Sequence, residues 1–166
     1  AAGESYVVFG KSSGFTAAVD LSTLNGTDGF RLDGIDSYDN SGFSVSSAGD
    51  VNGDGFDDLI IGARSADPGE DSAAGESYVV FGKSSGFTAA IDLSALNGTD
   101  GFRLDGIDVN DQSGFSVSSA GDVNGDGFDD LIIGAWRADP GGASDAGESY
   151  VVFGKSSGFT AAIDLS

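Results

Sequence analysis

Short apolar runs alternate with turn-forming stretches along the whole chain. Near Ser41 to Gly49, Phe43 and Val45 alternate with Ser44 and Ser46, which predicts a half-buried strand. Asp58 to Ala63 is a continuous run around Leu59-Ile60-Ile61, apolar on both faces, and predicts a strand covered on both sides. Glu76 to Gly82 predicts a third strand. Gly101 to Gly106 predicts a fourth, with Phe102 and Leu104 alternating with Arg103 and Asp105. Between the third and fourth lies Lys83 to Asp100, which ends in the turn pair Asn97-Gly98. It reads as a long connection containing one helical turn.

The pattern repeats. Gly-Glu-Ser-Tyr-Val-Val-Phe-Gly-Lys begins at Gly3, Gly75 and Gly147, so the steps are 75 − 3 = 72 and 147 − 75 = 72. The copies differ mainly at 37–40 against 109–112 and at 64–73 against 136–145. Those stretches are rich in Asp, Pro, Gly and Ser and read as loops. Four short strands per period is the plan of a propeller blade. The small residues Ser44, Ser46, Ser47, Ala48 and Gly49 suit the strand nearest a crowded propeller axis. A β-solenoid is the alternative, but its coils are usually shorter than this period. The predicted fold class is all-β, with propeller blades of four antiparallel strands.

Residues 1–34 give a partial blade with its outer strands (near 4–9 and 29–34). Residues 35–106 give a full blade, with strands over about 41–106. Residues 107–166 give a partial blade, with strands over about 113–154. These strands are too few to close a ring. The complementary ends predict either completion by other copies, through strand exchange or ring assembly, or excision from a longer array. The chain begins in mid-pattern at Ala1-Ala2-Gly3, as a cut segment would.

Composition narrows the partners. The formal net charge is −20, from 27 acidic against 7 basic residues. Nucleic acid and anionic membrane surfaces need a basic face, so neither is expected. No apolar segment is long enough to insert into a membrane. There is no Cys and no His, which removes thiol chemistry and the commonest general base. Carboxylates abound, but they recur with each repeat, as structural sites do, so an enzyme is not expected.

The acids cluster in Asp50-Val51-Asn52-Gly53-Asp54-Gly55-Phe56-Asp57-Asp58, which returns as Asp122-Val123-Asn124-Gly125-Asp126-Gly127-Phe128-Asp129-Asp130. Calcium takes six to eight oxygens at about 2.3–2.6 Å, and a tight loop supplies them from alternate residues. Asp50, Asn52, Asp54 and Asp58 would give side-chain oxygens and Phe56 a carbonyl. Asp122, Asn124, Asp126, Asp130 and Phe128 would do the same in the second copy. About two calcium ions per chain are therefore expected. An EF-hand needs a Glu at the twelfth position, where Ile61 stands here inside a strand. Magnesium demands stricter octahedral geometry, which favours calcium. A plain Asx-rich turn is the alternative, but crowded carboxylates repel without a counter-ion. Asp57 and Asp129 are read as solvated rather than as ligands or their supports.

Ser-Gly-Phe-Ser-Val-Ser-Ser-Ala-Gly-Asp, followed by this loop and Leu-Ile-Ile-Gly-Ala, resembles the FG-GAP repeat of integrin α-subunit propellers. It looks closest to bacterial integrin-like repeat proteins. The resemblance covers the whole chain, although 72 residues is longer than the usual family repeat. It implies a propeller with calcium held between the first two strands of certain blades. It also implies an extracellular or cell-surface module for scaffolding, adhesion or recognition, with a surface protein or glycan as partner. A structural filament or surface-layer repeat, or an accessory module of a larger secreted enzyme, is the alternative. Trp136-Arg137, which replaces Arg64-Ser65, is either a recognition pair or a cover for a blade edge.

Overall fold

The computed structural model describes residues 1–69 and 71–166; Glu70, inside the variable 64–73 loop, lies outside the described residues. Eleven strands are present among the described residues: β1 (Glu4–Val8), β2 (Gly29–Asp33), β3 (Ser44–Gly49), β4 (Asp58–Ala63), β5 (Glu76–Val80), β6 (Ala90–Asp92), β7 (Gly101–Asp105), β8 (Ser113–Gly121), β9 (Asp130–Ala135), β10 (Glu148–Val152) and β11 (Ala162–Asp164). The only helical segments among these residues are single turns of 3-10 helix.

The central unit is the antiparallel blade β3-β4-β5-β7. Its four strands are the four predicted from the repeat. The flanking units are β1-β2 and β8-β9-β10. Register repeats with the sequence: Glu4 pairs with Asp33, and Glu76 with Asp105.

The connection between the third and fourth strands holds the expected helical turn and, in addition to it, a short strand. Its helical turn is present at Leu93–Ala95, started by the Asp92 carboxylate, which accepts the Ser94 N–H at 2.9 Å. Just before it, Ala90–Asp92 forms β6, and the equivalent Ala162–Asp164 forms β11. Each pairs in parallel with the outer strand of the preceding unit, β6 on β2 and β11 on β7. A ring comes with each strand. Phe87 stacks on Phe30 at 4.5 Å and Phe159 on Phe102 at 4.6 Å. The third repeat's connection therefore reaches back to complete the central sheet at its outer edge.

Burial follows position, not sequence. Glu-Ser-Tyr-Val-Val is buried throughout in β5, yet alternates between half-buried and exposed in β1 and β10. Of these three copies, only β5 is paired on both edges and covered on both faces among the described residues. The prediction that Asp58 to Ala63 is covered on both sides holds for β4. In the equivalent β9, Ile132 is exposed. One apolar cluster joins β2 to the central blade through Phe30, Leu32, Ile61, Tyr78 and Leu93. A second joins the central blade to the next through Val51, Ile60, Val79, Leu131 and Ile133.

The small residues of the first strands allow neighbouring blades to meet. Ser44 donates its hydroxyl to the Gly114 carbonyl at 2.8 Å. A methyl group at Gly62 would lie 2.1 Å from that same carbonyl oxygen, so only glycine permits the approach.

Candidate metal-binding loops and an aromatic surface cluster

The loop Asp50 to Asp58 joins β3 to β4, and Asp122 to Asp130 joins β8 to β9. Both wind inward on their own side chains. The Asp50 carboxylate accepts the N–H of Asp54 at 3.0 Å and of Gly55 at 2.9 Å. Asn52 Oδ1 accepts the Asp54 N–H at 2.8 Å, and Asp54 Oδ1 accepts the Phe56 N–H at 2.9 Å. The turn requires positive φ at Gly53 (74°) and Gly55 (89°), which glycine adopts without strain. The second loop repeats the pattern: Asp122 accepts from Asp126 at 3.0 Å and Gly127 at 2.9 Å, Asn124 from Asp126 at 2.9 Å, and Asp126 from Phe128 at 3.0 Å.

Asp58 and Asp130 stand apart from the turn proper. Each is fully buried at the first position of its strand. Asp58 accepts the Val51 N–H at 3.0 Å and the Gly82 N–H at 2.8 Å, tying the loop to the end of the third strand. Asp130 does the same with Val123 and Gly154, both at 2.9 Å. Burial pushes the Asp58 carboxyl up to about 6; the two N–H donors oppose the shift, and the charges of Asp54 and Asp50 add to it.

The structure thus brings Asp50, Asn52, Asp54 and Phe56 into one turn, with Asp58 at its base, and likewise for the second set. It does not draw them into a formed cage: among the described residues, no three carboxylates converge on one point. In every other respect the residues fit a hard cation. The donors are all oxygens, the carboxylates face inward, and no Lys or Arg among the described residues forms an ion pair with either loop.

Asp57 and Asp129 have different fates. Asp57 is exposed, as expected. Asp129, read as solvated, instead reaches across to the neighbouring blade, where its carboxylate accepts the Asp50 N–H at 2.8 Å. No local signal separates the two, because their loops are identical in sequence. The difference lies in what stands beside each loop.

At the opposite end of the blades, a cluster spans two units. Arg64 lies over the ring of Phe43, 4.0 Å from its centroid, and 5.7 Å from that of Phe115. Trp136 packs on Phe115 at 5.4 Å and donates its indole N–H to Gln112 at 2.8 Å. Arg137 sits over Trp136 and pairs with Asp145 at 3.2 Å. Phe43 and Trp136 remain about half exposed, at 47% and 49%. The stretches in which the repeats differ, 64–73 with 136–145 and 109–112, thus supply Arg64, Trp136 and Gln112 to one surface.

Two successive units of this topology each open on an acidic turn between their first two strands. The FG-GAP repeat family model matches residues 41–80 and 113–152, and the chain belongs to that family. It is similar to integrin alpha pat-2 of Caenorhabditis briggsae, at 32% identity over 126 residues, covering 72% of this chain and 9% of the relative. It is also similar to integrin alpha-5 of Xenopus laevis, at 32% over 148 residues, 83% of this chain and 12% of the relative. With integrin alpha-V of Gallus gallus the identity is 30% over 109 residues, 66% of this chain and 10% of the relative. The chain spans about a tenth of the length of these relatives.

Proposed function

We propose that this chain is a calcium-binding propeller-repeat module that serves adhesion or recognition at the cell surface, and that it binds rather than catalyses. The supporting observation is the oxygen-only turn, repeated with the same internal hydrogen bonds between the first two strands of two successive blades. Asp50, Asn52, Asp54, the Phe56 carbonyl and Asp58 would hold one ion. Asp122, Asn124, Asp126, the Phe128 carbonyl and Asp130 would hold the other. A bound cation supplies the positive charge that the inward carboxylates lack and stiffens the strand pair it bridges. Its binding energy then appears as folding energy. Self-association is part of the proposal: the outer edge of β10 has no partner strand among the described residues, and β7 shows the strand that such an edge takes. A surface protein or glycan is the proposed outside partner.

Calorimetric titration of calcium into chelator-stripped protein tests this reading. Two ions per chain are expected, and Asp54→Ala with Asp126→Ala should weaken both sites. Absence of both heat and thermal stabilisation would refute it.

A further inference from the structure

The two loops are in direct contact, and the contact runs through one residue. Asp129 stands between Phe128 and Asp130, two of the groups assigned to the second site. Its N–H donates to the Asp50 carbonyl at 3.1 Å, and its carboxylate accepts the Asp50 N–H at 2.8 Å. Asp50 is assigned to the first site. One residue of each loop is therefore locked to the other by a reciprocal pair of hydrogen bonds. The neighbourhood reinforces the lock. The Phe128 ring covers Gly53, coming within 2.4 Å of where a side chain there would begin. The Lys155 N–H donates to the Val51 carbonyl at 3.0 Å. Val51 is fully buried under the next blade, whereas its equivalent Val123 is exposed.

We propose that Asp129 is a positioning residue that couples the two loops, so that filling one raises the affinity of the other. The inference rests on the calcium reading above. An ion on the first loop fixes Asp50. A fixed Asp50 presents its N–H and carbonyl in one place, and these hold Asp129. Held there, Asp129 fixes the backbone on both sides of itself, where the Phe128 carbonyl and the Asp130 carboxylate begin. The ordering cost of the second site is then partly met before its ion arrives, which is positive cooperativity by shared ordering. Linkage makes the effect reciprocal. Asp57, the same residue one repeat earlier, has no such loop beside it among the described residues and serves as the internal control.

The test is calcium titration of the full chain as wild type and as Asp129→Ala, Asp129→Asn and Asp57→Ala, each with and without Asp54→Ala. In wild type, two ions should bind on a curve steeper than independent sites give, with occupancy of one loop tightening the other by about 5–10-fold. Asp54→Ala should then weaken the surviving 122–130 loop by that same factor. Asp129→Ala should still take two ions, but independently, and adding Asp54→Ala should leave the second loop's affinity unchanged. Asp129→Asn keeps an acceptor oxygen and should retain the coupling, and Asp57→Ala should behave as wild type. Two independent ions in wild type, or coupling that survives Asp129→Ala, would overturn the proposal while leaving both calcium sites standing. If Asp129→Ala fails to fold, independent binding in the wild-type curve still overturns the proposal. No calcium uptake in any variant would overturn the calcium reading itself and the coupling with it.

Discussion

Replacing Phe87 with alanine should cost far more than replacing Phe15, although the two residues occupy the same place in the repeat. Phe87 stacks on Phe30 at 4.5 Å and packs against Phe9 at 5.5 Å. Such ring pairs contribute about 0.5–1.5 kcal/mol each beyond their buried area. A fully buried Phe→Ala change costs about 3–5 kcal/mol, and Phe87 is only partly buried. A loss of about 2–3 kcal/mol follows. Phe15 is 53% exposed and makes no ring contact among the described residues, so its loss should stay within about 0.5 kcal/mol. The cation over each ring does not confuse the comparison, because Lys11 stands 4.9 Å from Phe15 and Lys83 stands 5.0 Å from Phe87. Phe159→Ala should follow Phe87→Ala, since Phe159 stacks on Phe102 in the same way. Urea unfolding is the assay, and with a slope of about 2 kcal/mol/M the midpoint should fall by about 1 M for Phe87 and Phe159. Equal losses at all three positions would refute the claim that β6 and β11 dock through these rings.

Two further outcomes are expected. In calcium-free protein, stability should fall as pH rises from about 4 to about 6. Burial raises the Asp58 carboxyl from 3.8 to about 6, so the folded state holds a proton there that the unfolded chain has already lost. Two pH units correspond to about 3 kcal/mol. Buried Glu76, Asp39 and Asp111 are raised in the same direction, also chiefly by burial. Melting temperatures measured across that range in chelator check the sign, and stability that rose throughout would refute it. The second concerns Trp136, the one tryptophan in the chain, so intrinsic fluorescence reports on its cluster directly. Gln112→Ala removes the acceptor of its indole N–H and should shift emission to the red and raise quenching by iodide. An unchanged spectrum would mean that the cluster is held by its rings alone.

The four strands of the blade were legible because each carries its own signal: alternation in β3 and β7, a continuous apolar run in β4, and glycines at the breaks. The acidic turns were equally legible, since the spacing of Asp, Asn and Gly within nine residues is a local property. What escaped was everything whose partner lies one repeat away. Ala90-Ile91-Asp92 is too short and too ordinary to read as a strand, and becomes one only because β2 offers an unpaired edge. The matching Ala18-Val19-Asp20 has no such edge among the described residues and forms no strand, and Val19 stays exposed. Asp57 and Asp129 make the same point for the site. Identical local sequence meets different neighbours, so no reading of one repeat could tell them apart.

The backward reach of β6 and β11 gives the array a direction. An outer strand left bare would offer a row of free N–H and C=O groups to any other chain. Here that row on β2 and on β7 is covered, and the cover is always supplied by the following repeat. Each unit is thus shielded by its successor and shields its predecessor. Opening any one unit strips the cap from the unit before it, so neighbouring blades share their fate in one direction along the chain, as links in a one-dimensional cooperative array do.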